Sequence, residues 1–215
     1  MKILALDSSS SAASVAMVEF PNSYETPVVL YRYHQTHERN NSSVFFKGLE
    51  IAIQSHGRPE RIVVGLGPGS YNGLRASIAA AQGIASSCNI PLIGLPSALA
   101  FKEGAAGCWV LGDARGNQYW LASVKNHQFF EEPLLLTPSA IPEMLAEHPD
   151  FPLLAYASLE KLPVLQHQLI IKTPDAFLLS LLGKNLSAAT SPLEPLYLKP
   201  AHVNQATGNR LQTTG

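Results

Sequence analysis

The segment with the clearest chemical potential is the glycine-rich run Gly65–Arg75, between a predicted strand and a predicted helix. Glycines allow positive φ and close backbone approach, and a helix N-terminus attracts anions. The run lacks the dinucleotide fingerprint, the Gly-Lys-Ser/Thr ending of a P-loop and the G-x-S-x-G nucleophile elbow. A tight structural loop and a phosphate cradle therefore stay equally open. The candidate residues are Gly67, Gly69, Ser70 and Gly73.

Two carboxylates at the ends of predicted strands are candidates for a metal–phosphate site. Asp7 is followed by the hydroxyls of Ser8 to Ser11, and Asp113 is followed by Arg115. Such carboxylates hold a metal–phosphate group or simply cap turns, and the second role is commoner. Residues 61–102 contain no acidic residue, so the glycine run lacks a downstream ribose-binding acid or magnesium carboxylate.

The remaining reactive side chains do not form a recognisable metal or nucleophile motif. His34 and His37 are three apart on a predicted strand, which puts them on opposite faces, and we expect them to be solvent-exposed. The sequence contains neither H-E-x-x-H nor H-x-x-x-H. Cys88 and Cys108 are too few for a disulfide framework or a Cys-rich zinc site. We therefore predict no metal site, and no local signature marks a catalytic nucleophile, although such groups meet in space rather than in sequence.

Composition narrows the class of protein further. The chain has 215 residues, 46% hydrophobic and 14% charged, which suits one large domain or two small ones. Its net charge of −1 comes from dispersed residues, which disfavours autonomous tight binding to nucleic acid or a membrane surface. The apolar run before Asp7 is too short for a signal peptide, and no stretch could span a membrane. We expect a cytoplasmic protein with reduced thiols.

Hydrophobic periodicity predicts a mixed sheet with helices packed on it in the first half, in the order βββαβαβ. The predicted elements are strands 3–6, 13–19, 28–33, 61–66 and 91–95, with helices 41–56 and 73–88.

The second half is less regular. It predicts short strands, helices at 139–148 and 175–182, and a loose polar tail. The predicted division is an N-terminal lobe at 1–103, a reduced C-terminal lobe at 104–200 and the tail at 201–215. The strands are 109–111 and 118–124 around the turn 114–117, then 134–136, 153–157 and 169–171.

The first two helices have apolar or small faces that exceed what packing on one sheet requires. Leu74, Ile78, Ala81, Ala85 and Cys88 share one face of the second helix, which we expect to pack on the sheet. The part of these faces that does not pack on the sheet would be covered either by another subunit or by further segments of this chain. The predicted interface residues are Phe45, Phe46, Leu49 and Ile53 in the first helix, and Ala76, Ala80, Gly83 and Ser87 in the second.

Five segments in order along the chain resemble the TsaB (YeaZ) family of the actin/Hsp70/sugar-kinase superfamily. The glycine segment and the downstream Asp-Ala-Arg are specific as a set. Asn41 and Tyr71-Asn72 depart from the family's usual histidine and Phe-Thr. The matching segments are 1–9, 67–75, 81–85, 113–120 and 194–199.

The resemblance implies two ribonuclease-H-like (actin-like ATPase) lobes, the second reduced. It also implies a role in adding threonylcarbamoyl to the adenosine beside the anticodon of tRNA. In that system a TsaD-like paralogue carries the catalytic metal site, and TsaB is its non-catalytic scaffold. A TsaE-like ATPase binds to these two proteins. TsaB meets TsaD, or a second copy of itself, through these two helices, and tRNA is reached only through the complex. The family's older glycoprotease or peptidase label finds no support in these residues.

No cofactor is expected, and any nucleotide site would be vestigial. The alternative is a nucleotide-dependent ATPase or kinase that uses Asp7, Asp113 and the Gly67–Gly73 loop. The vestigial site would comprise Asp7, Ser8, Gly67, Gly69, Ser70, Gly73 and Asp113.

Overall fold

The computed structural model describes residues 1–22, 26–36, 43–159, 162 and 169–198. The first half forms a five-stranded sheet in the order β3-β2-β1-β4-β5. β1 pairs antiparallel with β2 and parallel with β4, so the predicted mixed sheet and its element order are confirmed. The strands are β1 (Lys2–Asp7), β2 (Ala12–Glu19), β3 (Val28–Thr36), β4 (Arg61–Gly65) and β5 (Leu92–Leu95).

Two helices, α1 (Ser43–His56) and α2 (Tyr71–Cys88), pack on one face of this sheet and bury a common core. In α2 the residues facing this core include Leu74, Ile78, Ala81 and Ala85, as the helical spacing predicted, whereas Cys88, the fifth predicted residue, is only half-buried. α2 begins two residues before the predicted start, because Ser70 caps it. The predicted first two residues of α1, 41 and 42, lie outside the described residues.

The second half forms another mixed sheet, in the order β11-β10-β6-β7-β8, with β9 also paired to β7. β6 is antiparallel to β7 and parallel to β10, which repeats the pairing of β1 with β2 and β4. The two halves thus share a strand order, and the two-lobed fold class is confirmed. The strands are β6 (Cys108–Arg115), β7 (Gln118–Lys125), β8 (Gln128–Phe129), β9 (Leu134–Leu136), β10 (Leu153–Ala155) and β11 (Leu169–Ile171).

The helix of the second half is shorter than predicted. A 3-10 turn at Pro138–Ala140 leads into α3 (Ile141–Leu145), which ends three residues before the predicted end at His148. Pro149 follows His148 and disfavours the helical conformation there. β10 likewise ends at Ala155 rather than at residue 157, and the two-residue β8 was not predicted. α3 spans five residues and α1 fourteen, so the second lobe is the reduced one.

The last helix, α4 (Ala176–Gly183), covers the opposite face of the first sheet. Asp175 caps it by accepting a hydrogen bond from the backbone N–H of Phe177 at 2.9 Å. The predicted lobe boundary at residue 103 stays a prediction, and the tail 201–215 lies outside the described residues. Among the described helices, none combines the length and the apolar character that a membrane span needs.

Candidate functional site at the end of strand β1

Asp7, the last residue of β1, is fully buried. Its Oδ1 accepts hydrogen bonds from the backbone N–H of Ser9 at 2.9 Å and from Ser9 Oγ at 2.7 Å. A carboxylate that binds the N–H two residues ahead forms an Asx turn, which is the commoner of the two roles predicted for this group. The turn carries the chain from β1 into β2.

The second oxygen of Asp7, Oδ2, is buried and has no well-formed hydrogen bond within the described part of the chain. Burial raises the pKa of Asp7 because it removes water from the charged form, and the hydroxyls of Ser97 and Ser9 offset part of this rise. The Ser97 hydroxyl lies close to this carboxyl group, and its oxygen also accepts the backbone N–H of Gly67 at 2.9 Å. The site therefore favours the neutral form of the Asp7 carboxyl group more than water does.

Tyr156, the residue directly after β10, contributes a side chain from the second sheet to the surroundings of Asp7. Its hydroxyl is buried without a hydrogen-bond partner among the described residues. Burial, and secondarily the charge of Asp7, raise the pKa of this hydroxyl well above its ordinary value, while Ser9 lowers it slightly. The tyrosine ring packs edge-on against Trp120 at 5.4 Å between centroids. Two titratable groups from different sheets thus share one water-poor site.

The glycine segment lies directly on the Ser8–Ser9 backbone. The backbone N–H of Ser70 donates to the Ser9 carbonyl at 2.6 Å. A Cβ at Gly69 would overlap the Ser9 carbonyl oxygen, and one at Gly73 would overlap that of Ser8. These two glycines are therefore required by close approach of the β1–β2 turn.

Further polar groups of the glycine segment have partners inside the chain. Ser70 Oγ accepts the Gly73 N–H at 3.3 Å, which is the N-cap bond of α2. The Gly67 carbonyl accepts the backbone N–H of Ser97 at 2.7 Å. Phosphate recognition needs free N–H groups, whereas carbonyl oxygens of Ser8 and Ser9 face this loop. Of the two predicted roles, the geometry supports the structural loop.

Asp113 differs from the buried Asp7 in both its solvent exposure and its hydrogen-bond partners. It is exposed, and its Oδ1 accepts the backbone N–H of Arg115 at 2.6 Å in the β6–β7 hairpin. Gly116 and Asn117 close that hairpin with φ of 61° and 57°, which confirms the predicted turn. Each predicted carboxylate therefore caps its own turn.

The histidines predicted to be exposed are only partly described. His34 is exposed, and its Nε2 lies 2.7 Å from Thr173 Oγ1, whereas His37 lies outside the described residues. No group of three or more histidine, cysteine or acidic residues within the described ranges has the arrangement of a metal site.

The predicted interface residues of α1 and α2 divide into core and surface. Phe45 and Leu49 lie in the core beneath the helices, so neither is open to a partner. They are buried because α1 turns this side toward the sheet. Phe46 is 46% exposed, and Gly83 and Ser87 are exposed. The residues of intermediate exposure are Ile53, Ala76 and Ala80. We call Phe46, Ile53, Ala76, Ala80, Gly83 and Ser87 the α1–α2 surface.

Sequence reasoning missed two members of the buried site and one exposed cluster. Ser97 and Tyr156 meet Asp7 only through the tertiary fold, and no local motif marks them. At the start of α2, Tyr71 stacks on Tyr197 at 5.5 Å, and Arg75 Nη1 donates to the Tyr71 hydroxyl at 2.8 Å. Tyr197 belongs to the segment 194–199, which resembles the family, and its stacking on Tyr71 holds this segment against α2.

Comparison with known proteins places this fold in a family. A family model described as "TsaD: tRNA N6-adenosine threonylcarbamoyltransferase" matches residues 29–157, which is more than half of the chain. No curated protein matches the chain.

Two solved structures from Pseudomonas aeruginosa share the fold. One is a protein described as similar to peptidase YeaZ, with 21% identity and a TM-score of 0.67, covering 92% of this chain and 99% of its own. The other is YeaZ, with 18% identity, the same TM-score and the same coverage. These matches and the family model together confirm the resemblance to the TsaB (YeaZ) family. The chain belongs to the TsaD family, whose members are associated with tRNA modification.

Proposed function

We propose that the chain is a non-catalytic partner subunit of the machinery that transfers threonylcarbamoyl to the adenosine beside the anticodon of tRNA. In this role it supports a TsaD-like paralogue that carries the catalytic metal site, in the cytoplasm, and a TsaE-like ATPase joins the assembly. The observation that carries the proposal is the closed glycine segment, in which the Ser8 and Ser9 carbonyls fill the space beside Gly69 and Gly73.

A nucleotide-dependent enzyme would use the same residues differently. Magnesium keeps several water ligands and binds carboxylates that it can reach, whereas Asp7 has no exposed surface. The second candidate carboxylate, Asp113, is engaged in its own hairpin. Isothermal titration with ATP and magnesium tests the alternative directly. We expect no saturable heat, and a stoichiometric complex would favour the ATPase.

The α1–α2 surface is the proposed contact with the TsaD-like paralogue or with a second copy of this chain. It combines an exposed phenylalanine, Phe46, with small uncharged residues on α2. Small residues allow two helices to approach closely, and a solvated helix face would normally carry charges. We propose that tRNA is reached through the resulting complex, because the basic residues are scattered along the sequence without a run that would suit phosphates.

Gly83 is the best position for testing this contact. A Cβ there would meet no atom within 4 Å, so both alanine and arginine fit the monomer. Ala80, by contrast, packs partly against the core, so an arginine there would disturb the fold as well as the surface. Gly83→Arg places a charged side chain on the surface, and Gly83→Ala is the matched control.

The experiment mixes each variant with the TsaD-like protein of the same genome and follows the complex by size-exclusion chromatography. We expect Gly83→Ala to assemble like the wild type and Gly83→Arg to elute as a folded monomer, with its fold checked by circular dichroism. The same pair tests any homodimer. Assembly of Gly83→Arg with unchanged affinity would refute the proposed contact.

A further inference from the structure

An aromatic groove lies on the second lobe, away from the α1–α2 surface. It is a cavity of about 440 Å³ between α3 and the loop that leads into β10. Its floor is the ring of Trp109, which is only 2% exposed, and its walls include His148 and Phe151. The rim contains the exposed residues Pro142, Ala146 and Pro149.

The rings of the aromatic groove are held in a fixed arrangement. His148 stacks on Phe151 with centroids 4.8 Å apart and planes 18° apart, and it lies 5.8 Å from the Trp109 ring. Phe130, which is 53% exposed, meets His148 edge-on at 5.2 Å. The indole N–H of Trp109 donates to the His148 carbonyl at 3.3 Å. The groove is thus lined by a preformed cluster of packed rings rather than by a flexible apolar patch.

The stretch of chain that forms most of the aromatic groove is rich in acidic residues, and one cation, Lys125, directly precedes it. Residues 126–159 contain five acidic residues and no lysine or arginine, whereas the rest of the chain has fifteen basic and eleven acidic residues. Three carboxylates are exposed on or beside the rim, and two more adjoin Phe130. A negative field over aromatic faces favours a cation and repels phosphate. These carboxylates are Glu143, Glu147 and Asp150, with Glu131 and Glu132 beside Phe130.

We propose that the aromatic groove binds an arginine- or lysine-rich segment of a protein partner. The guanidinium or ammonium group lies against the exposed parts of this ring cluster, and its neighbouring cations meet the rim carboxylates. The chain already shows this contact on a small scale, because Lys125 Nζ lies 5.9 Å from the centroid of the Phe130 ring. The partner is distinct from tRNA, whose phosphates the same carboxylates would repel.

The two tryptophans make the test site-specific. Trp109 lines the groove, whereas Trp120 lies in the separate core between the sheets. A nine-residue oligoarginine peptide is titrated into the ¹⁵N-labelled protein, with a nine-residue oligoserine peptide as the neutral control. We expect oligoarginine to shift the Trp109 indole N–H resonance saturably and to leave that of Trp120 unchanged. No shift at Trp109, or equal shifts at both indoles, would overturn the proposal.

Charge-matched variants distinguish oligoarginine binding at the aromatic groove from nonspecific electrostatic attraction to the protein. Glu143→Gln/Glu147→Gln neutralises the rim, and Glu50→Gln/Glu194→Gln removes the same charge from exposed positions elsewhere. We expect roughly fivefold weaker oligoarginine binding for the first variant, as two exposed ion pairs would give, and no change for the second. Ala146→Arg adds a cation at the exposed rim and should abolish the shift. Equal weakening by both double variants, or wild-type binding by Ala146→Arg, would refute the site.

Discussion

At the scale of single residues, Asp7 differs in its ionisation from an aspartate side chain in water. Its carboxyl group is buried, its Oδ2 has no well-formed hydrogen bond within the described residues, and burial raises its pKa. The folded-state pKa therefore lies above that of the unfolded chain. Burying the neutral carboxyl group costs little free energy, whereas ionising it inside the protein is unfavourable. Stability associated with Asp7 is complete below the unfolded pKa and is lost as pH rises through the folded pKa.

Replacing Asp7 by asparagine should remove this pH dependence. Asparagine retains the Oδ1 that accepts the two Ser9 hydrogen bonds, but it cannot ionise. We expect Asp7→Asn to gain stability relative to the wild type as pH rises from 4 toward 8, by about 1.4 kcal/mol for each unit of pKa shift. Urea unfolding across this range measures the difference. Asp150→Asn, at an exposed carboxylate, is the control, and a pH-independent difference for Asp7→Asn would contradict the argument.

The two cysteines should differ in reactivity because their surroundings differ. Cys108 is fully buried in β6, and its burial, with a smaller contribution from the charge of Glu103, raises its pKa to about 12. The thiolate is the reactive form, so this thiol should be inert. Cys88 is half-buried at the end of α2. At pH 8 we expect a disulfide reagent to modify Cys88 readily and Cys108 only after unfolding, as peptide mass mapping would show.

At the scale of elements, α2 contains two glycines with opposite structural requirements. Gly73 lies against the Ser8 carbonyl, whereas Gly83 faces open space. Gly73→Ala should destabilise the protein by about 1–3 kcal/mol, because the added methyl group displaces backbone. Gly83→Ala should stabilise it by about 0.5–1 kcal/mol, because alanine is the better helix former. Thermal unfolding of both variants measures the contrast, and equal stabilities would show that the β1–β2 turn yields easily.

The elements differ in how well the sequence predicted them, for physical reasons. β1 to β5 and the first two helices have strong apolar periodicity and were found within a few residues. The role of Ser70 was ambiguous, since an N-cap and a phosphate contact use the same residue types. Contacts between residues that are distant in the sequence were not predictable. The meeting of Asp7 with Tyr156, and of α4 with the first sheet, depends on tertiary packing that no local pattern encodes.

For the whole molecule, charge distribution governs the encounter with tRNA. The net charge is −1, and the one acidic stretch, residues 126–159, lies within the second half. Tight binding to tRNA needs several clustered phosphate contacts, which dispersed cations do not supply. We expect the isolated protein to bind tRNA nonspecifically, with a dissociation constant of about 1–100 μM at physiological salt. Filter binding measures this, and a sub-micromolar, sequence-selective complex without a partner would contradict it.

The two sheets should unfold together, because α4 connects them. Leu179 of α4 lies in the core of the first sheet, and Leu182 packs against the core of the second. The helix is also held from its start. The backbone N–H of Ala176 donates to Ser14 Oγ at 2.9 Å, and Arg32 pairs with Asp175 at 2.7 Å. Loss of packing on one side should therefore weaken the other.

Leu179→Ala tests this coupling, because both tryptophans, Trp109 and Trp120, lie in the second sheet. The substitution empties a fully buried position against the first sheet and should cost about 2–5 kcal/mol. If the molecule unfolds as one unit, the urea midpoint measured by tryptophan fluorescence falls together with that measured by circular dichroism. Leu186→Ala, at a side chain 43% exposed, should move neither. A fluorescence midpoint that stays in place while circular dichroism loses stability would mean that the second sheet unfolds independently.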